Sequence, residues 1–310
     1  GSVENRLRFP REIVRGIRER TGDDFVIGFK FSAHEDLPNG VDAPLGQKIA
    51  SRMEKISFDY LHVATTSSTL ENQEYYEYPS VPSLYSSQAT LIELAEKIKR
   101  QVELPVVGTG GITDPGVATE ILEEEKADLV ALGRALIADP HWPKEVKKKA
   151  RVTPCIRCNV CHLKEVFEEK PVRCTVNPKA GVERDYEMES AETRKQVDVV
   201  GAGPAGIEAA LVASRRGHDV SLFEKEDSVG GMMIPASKPN FKKDITRLHD
   251  YYLRELDRAK NLEVKTGEKI DRHKLVNRAP DEVILATGAV PRSMEAPGLS
   301  EVNYYTGVDA

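Results

Sequence analysis

Residues 197–225 read VDVVGAGPAGIEAALVASRRGHDVSLFEK, and their order decides the fold of the second half of the chain. Val197–Val200 reads as a short buried strand. Gly201-Ala202-Gly203-Pro204-Ala205-Gly206 fits the pattern G-x-G-x-x-G. Residues 207–216 suit a helix, and residues 219–224 suit a second strand. Strand, glycine turn, helix and strand in this order make a parallel βαβ unit. Such a turn has a stated division of labour. Gly201 makes the tight bend, Gly203 lets the backbone approach a pyrophosphate, and Gly206 permits close packing of helix on sheet. The helix start, at Pro204 and Ala205, presents free N–H groups and a positive dipole end to phosphates. Glu224, followed by Lys225, ends the second strand where ribose hydroxyls are expected. A glycine turn without a ligand is the plainer alternative.

Working outward from that unit, Gly230-Gly231 follows Glu224 at a distance seen in FAD-binding reductases. Residues 241–260 read as a long helix, 261–266 as a strand and 282–286 as another. The last strand runs into Thr287-Gly288, a further segment of those folds. Together these features favour FAD at this site, with ADP as a variant. A second glycine motif for NAD(P)H is expected to follow and is not in this sequence. The nucleotide region, 194–310, therefore reads as an unfinished domain.

All four cysteines lie in residues 155–174, spaced C-x2-C-x2-C-x12-C as Cys155, Cys158, Cys161 and Cys174. Thiolates bind both zinc and iron–sulfur clusters. Structural zinc commonly uses two separated C-x2-C pairs. Three cysteines in one run and a fourth at a distance suit the corners of a 4Fe–4S cube instead, with zinc as the alternative. His162 adjoins the run and reads as a bystander. A secreted disulfide knot does not suit a chain of this size without a secretory segment, so a reducing cytoplasm is expected.

Residues 1–150 alternate helix and strand patterns, which implies a parallel α/β sheet. Helices are expected at 9–20, 45–56, 91–102, 115–125 and 141–150. Strands are expected at 25–32, 60–64, 105–109 and 129–132. An eight-stranded barrel needs about 250 residues, so four strands make the C-terminal half of one, or a smaller open sheet. Gly110-Gly111 ends one strand and Gly133-Arg134 the next. Glycines there expose backbone N–H groups and Arg134 adds a cation, a pattern that suits a phosphate. Lys30 interrupts an apolar strand and is expected to face a ligand such as a flavin ring. Residues 151–193 read as a cysteine segment and linker between the two domains.

The 310 residues carry a formal net charge of −6, which gives no broad basic footprint for nucleic acid. No apolar run approaches the roughly 20 residues needed to span a bilayer, and no membrane association is expected. The chain begins at Gly1 and stops inside the nucleotide region, so a fragment of a longer protein is expected.

The segments GSVENRLRFPREIVR, VGTGGITDPGVA, ALGRALIADP, CIRCNVC with Cys174, VVGAGPAGIEAA and ATGAVP together carry a resemblance. The chain resembles the Old Yellow Enzyme-related iron–sulfur flavoproteins: 2,4-dienoyl-CoA reductase, enoate reductase and trimethylamine dehydrogenase. The resemblance covers most of the chain. It implies a barrel holding FMN, a 4Fe–4S cluster at its edge, and a domain holding FAD and NAD(P)H. Gly110, Gly111, Gly133 and Arg134 match that family's FMN phosphate site. Lys30 stands where the family usually has arginine against the flavin. The family's catalytic tyrosine and histidine are expected on the first four barrel strands, so no catalytic residue is named here.

The resemblance implies an NAD(P)H-dependent reductase of activated C=C bonds acting on a small-molecule substrate. The gap of two between Cys158 and Cys161 looks like trimethylamine dehydrogenase, whereas Val176-Asn177-Pro178 looks like the reductases. The amine-oxidising alternative would pass electrons to a carrier protein. It would also need clustered aromatics for cation–π contact, for which Tyr75, Tyr76, Tyr78 and Tyr85 are candidates. A non-catalytic module that only binds nucleotide and cluster is the third reading.

Overall fold

The computed structural model describes residues 2–66, 78–166, 168–186, 188–290 and 292. The chain divides into two compact units, residues 1–181 and 182–310. The segment expected as a connector, 151–193, is thereby shared. Its cysteine-bearing part belongs with the first unit, and residues 182–193 belong with the second.

The first unit opens with α1 (Val3–Thr21). The Ser2 hydroxyl caps it by accepting from the Asn5 N–H at 3.3 Å. The helix starts well before the expected residue 9, and Pro10 sits inside it. Strand β1 (Gly28–Glu35) also lies further along the chain than expected. Phe25 and Val26, read as its beginning, are exposed. The Asp59 carboxylate accepts from the Ile27 N–H at 2.6 Å and from the Arg18 guanidinium at 2.7 Å, and so pins this entry.

The following elements are α2 (Ala43–Met53), β2 (Tyr60–Thr66), α3 (Ile92–Lys99), β3 (Val106–Gly108), α4 (Pro115–Glu123), β4 (Leu129–Val130), α5 (Arg134–Ala138), α6 (Trp142–Lys147) and α7 (Val160–Val166). The four strands form a parallel sheet in chain order, β1-β2-β3-β4. Strand followed by helix in sequential parallel order is the pattern of a barrel portion.

Side chains alternate across β1 and β2. Phe31, Ala33, Leu61 and Val63 are buried on the face that α2 and α3 cover. Gly46 makes the close approach possible, because a Cβ there would lie 2.1 Å from the Ala33 carbonyl oxygen. The other face carries Lys30, Ser32 and His62. Burying the apolar side chains of the helix-covered face drives this unit's folding.

The second unit contains β5 (Gln196–Val200), α8 (Pro204–Arg215), β6 (Asp219–Phe223), α9 (Met233–Ser237), α10 (Lys243–Arg258), β7 (Leu262–Lys265), α11 (Arg272–Arg278) and β8 (Glu282–Leu285). Its sheet is parallel, in the order β7-β6-β5-β8. The order reverses beside β5. Open α/β sheets bind ligands outside the carboxyl ends of the strands at such a switch point. Among the described residues of the chain, no helix is long and apolar enough to cross a membrane.

Candidate functional site

In the second unit the expected glycine segments converge at the carboxyl ends of β5 and β8. Gly201 has φ +101°, and a Cβ there would lie 2.4 Å from the Ala286 carbonyl oxygen and 3.2 Å from the Thr287 Cα. A Cβ on Gly206 would lie 1.8 Å from the Gly201 carbonyl oxygen. A Cβ on Gly231 would come within 3.0 Å of the Gly203 Cα, whereas Gly203 itself and Gly288 face open space. Gly230 donates its N–H to the Ala202 carbonyl at 2.8 Å. Gly203 precedes α8 with no side-chain cap, and Pro204 occupies its first turn. N–H groups at such an uncapped helix start can donate to an anion.

Glu224 has a second task that sequence reasoning missed. It is buried, and its carboxylate accepts from the Ala202 N–H at 2.8 Å and from the Glu226 N–H at 3.2 Å. It therefore ties the glycine turn to the end of β6. Each carboxylate oxygen has a further lone pair for a ribose hydroxyl. Lys225 is turned to Glu226, with Nζ 3.3 Å from the carboxylate.

In the first unit, Gly110, Gly111, Gly133 and Arg134 line one open cleft, together with Thr109, Thr113, Cys161 and His162. Gly110 (φ +118°) and Gly111 (φ +71°) adopt backbone that other residues rarely take. Lys30 is not part of this cleft. It stands exposed on β1, paired in register with His62 of β2. His62 is a residue the sequence reading passed over. Burial and then the Lys30 ammonium hold its pKa below the ordinary value, and its Nε2 is buried without a partner. The signal was the polar residue inside the apolar run YLHVA.

The four cysteines are free thiols, and all four line a second, small cavity with Ile156, Val176 and Arg134. Burial pushes the Cys155 thiol up to about 11 and raises Cys161 and Cys174 as well. Donors nevertheless surround the sulfurs. The Arg157 N–H reaches Cys155 Sγ at 3.4 Å, and the Thr175 hydroxyl lies 3.1 Å from Cys158 Sγ. Backbone N–H groups of Val176 and Asn177 bear on Cys174. Four thiols in an apolar cavity with N–H donors suit a thiolate-bound inorganic cluster.

Side chains stitch the cysteine loop to the loop before α3. Arg157, buried at φ +50°, donates to the Ser87 carbonyl at 2.8 Å. Asn159, at φ +61°, donates to the Val81 carbonyl at 3.2 Å and accepts from Arg134. Arg134 also donates to the Pro82 carbonyl at 2.7 Å. The Gln88 side-chain oxygen accepts from the Thr113 and Asp114 N–H groups at 3.0 and 3.1 Å. These contacts hold the cleft and the cysteine cavity together, with Arg134 and Cys161 in the wall of both.

Residues 1–152 match the NADH:flavin oxidoreductase / NADH oxidase family, and residues 195–309 match the pyridine nucleotide-disulphide oxidoreductases. The chain belongs to the NADH:flavin oxidoreductase family. It is 40% identical to an NADH oxidase of Thermoanaerobacter brockii, over 98% of this chain and 46% of that protein. It is 33% identical to a cinnamate reductase of Clostridium sporogenes, over 97% of this chain and 47% of that protein. The solved structure of a 2-naphthoyl-CoA reductase complex superposes with a TM-score of 0.87 at 29% identity, over 97% of this chain and 45% of that one. The chain thus spans about half the length of these relatives. In this NADH:flavin oxidoreductase family member, a barrel portion with a glycine-lined cleft is followed by a pyridine nucleotide-disulphide oxidoreductase domain.

The loop tyrosines divide. Tyr78 is buried, with its ring edge-on to His34 at 4.9 Å, and Tyr85 is exposed. Tyr75 and Tyr76 lie outside the described residues.

Proposed function

We propose that this chain is part of an NAD(P)H-dependent flavin iron–sulfur oxidoreductase that reduces activated C=C bonds of the enoate or 2,4-dienoyl-CoA type. One observation carries the reading: the four-thiol cavity and the glycine-rich cleft share a wall. In this reading Cys155, Cys158, Cys161 and Cys174 hold a 4Fe–4S cluster. Gly110, Gly111, Gly133 and Arg134 hold the phosphate of FMN. The turn Gly201–Gly206, with Glu224, Gly230, Gly231, Thr287 and Gly288, holds FAD. When bound, these groups supply hydride chemistry at the flavins and single-electron transfer from FAD through the cluster to FMN.

The protein's own part is binding and orientation. The cysteines must bind as thiolates, so loading releases protons that burial otherwise retains. N–H groups around the sulfurs stabilise the negative charge that remains. Two relatives are named for reducing cinnamate and 2-naphthoyl-CoA, both conjugated acyl compounds, which supports the substrate class.

The first test is the cofactor content of the chain purified without oxygen. About four irons with matching sulfide, together with bound flavin, support the reading. Stoichiometric zinc with neither iron nor flavin sinks it. With the complete protein, NAD(P)H oxidation driven by a dienoyl-CoA or an enoate supports the substrate class. Flavin bleaching by trimethylamine alone turns the assignment to amine oxidation with an electron-carrier partner.

A further inference from the structure

The two cavities of the first unit meet at one guanidinium. Arg134 faces the glycine-rich cleft on one side and the four-thiol cavity on the other. Its hydrogen bonds go to neutral acceptors, the Pro82 carbonyl at 2.7 Å and the Asn159 side-chain oxygen. Among the described residues it has no carboxylate partner, and the groups that favour its charge are Cys155, Cys161 and Cys158. A guanidinium stays charged at any ordinary pH. Half-buried without a counter-ion, that charge carries an uncompensated desolvation cost. Arg134 therefore stands between two sites whose chemistry is anionic: a phosphate in the cleft and thiolates in the cavity.

We propose that Arg134 is a shared counter-charge that links anion binding in the cleft to the electron count of the cysteine-bound cluster. This rests on the cluster reading given above. One-electron reduction of the cluster adds one unit of negative charge on the cysteine side of Arg134 and needs no proton. The guanidinium is held in place between Pro82 of the cleft wall and Asn159 of the cysteine side, so its charge acts on both sides at once. An anion in the cleft offsets the positive charge felt by the cluster and makes reduction harder. Reduction offsets the positive charge felt in the cleft and weakens anion binding. The two effects are one coupling free energy and are equal in size.

The test uses the chain loaded with its cluster without oxygen and stripped of flavin, so that inorganic phosphate meets an open cleft. Its cluster potential is measured by dithionite titration followed by electron paramagnetic resonance, with and without saturating inorganic phosphate. Phosphate affinity is measured calorimetrically in the oxidised and the reduced chain. The wild-type chain is expected to bind phosphate about fivefold more weakly when reduced, at the lower end of ordinary site–site coupling. Phosphate should move its cluster potential to more negative values. Arg134→Met should have a more negative potential without phosphate, and added phosphate should no longer move it. Arg134→Lys keeps the charge without the fork, and should keep the potential while binding phosphate less tightly. Iron content and Trp142 fluorescence confirm that each variant is folded and loaded. A loaded Arg134→Met with the wild-type potential, or phosphate binding indifferent to cluster reduction, overturns this inference alone. A chain that takes up no iron overturns the cluster reading and the inference together.

Discussion

The chain has two glycine-rich turns suited to phosphate, and they are built differently. The turn 201–206 is assembled by backbone and close packing. Gly201 and Gly206 press on each other and on Ala286, and one carboxylate, Glu224, ties the turn to the next strand. The cleft at Gly110-Gly111 and Gly133-Arg134 is assembled by side chains from afar. Pro82, Gln88 and Asn159 come from other loops, and the cation is itself held by two of them. A turn of the first kind is specified within about thirty residues of sequence. One of the second kind exists only when the fold brings distant segments together.

That difference can be broken by substitution. The largest effect is expected at Gly206→Ala, whose Cβ would lie 1.8 Å from a backbone oxygen that cannot move aside. A loss of about 3 kcal/mol is expected in the second unit. The only tryptophan, Trp142, lies in the first unit, so the loss should appear in circular dichroism while the Trp142 fluorescence transition stays in place.

Gly110→Ala reverses the pattern. Its Cβ would meet the Leu91 N at 2.7 Å, and φ is +118°. A loss of about 2 kcal/mol is expected, this time in the Trp142 transition. Asn159→Ala should cost about 1 to 2 kcal/mol in the same transition, because it leaves Arg134 and the Val81 carbonyl without their partner. Asn159→Gly suits the positive φ and isolates the loss of the side chain. If neither variant moves the Trp142 transition, the cleft does not depend on its distant supports.

The smallest effect is expected at His62. Its pKa is held below 6.5, first by burial and then by Lys30. The unfolded chain therefore takes up the proton first as pH falls. The stability that goes with the neutral imidazole is complete above pH 6.5, and it is lost as pH drops from there through the lower folded value. His62→Gln should flatten the dependence of the Trp142 melting temperature on pH in that window. An unchanged slope would show that another group carries it.

Much of the site was legible because its segments are chemically distinctive. Three cysteines in one run and a distant fourth mark one cavity, and all four line it. The glycine hexamer, Gly230-Gly231 and Thr287-Gly288 each announce tight backbone, and they converge. The long periodic helices were legible too. The short ones, Arg134–Ala138, Val160–Val166, Met233–Ser237 and Arg272–Arg278, span only one or two turns and show no period. Strand β1 was displaced because Phe25 and Val26 extend its apolar run, although both are exposed.

What the sequence alone determined is therefore local: which turns must be glycine, which thiols form a set, and which nucleotide-binding unit follows. These depend on backbone sterics and on ligand spacing, and both are written within a few residues of each other. Tertiary structure alone decided the partners of the charged and polar groups. Arg134, read as a phosphate cation, proves to stand between two cavities. Glu224 supports the turn it follows, and Lys30 stands beside His62. Long polar side chains reach several ångströms, and the acceptors they find lie on segments whose proximity no spacing rule encodes.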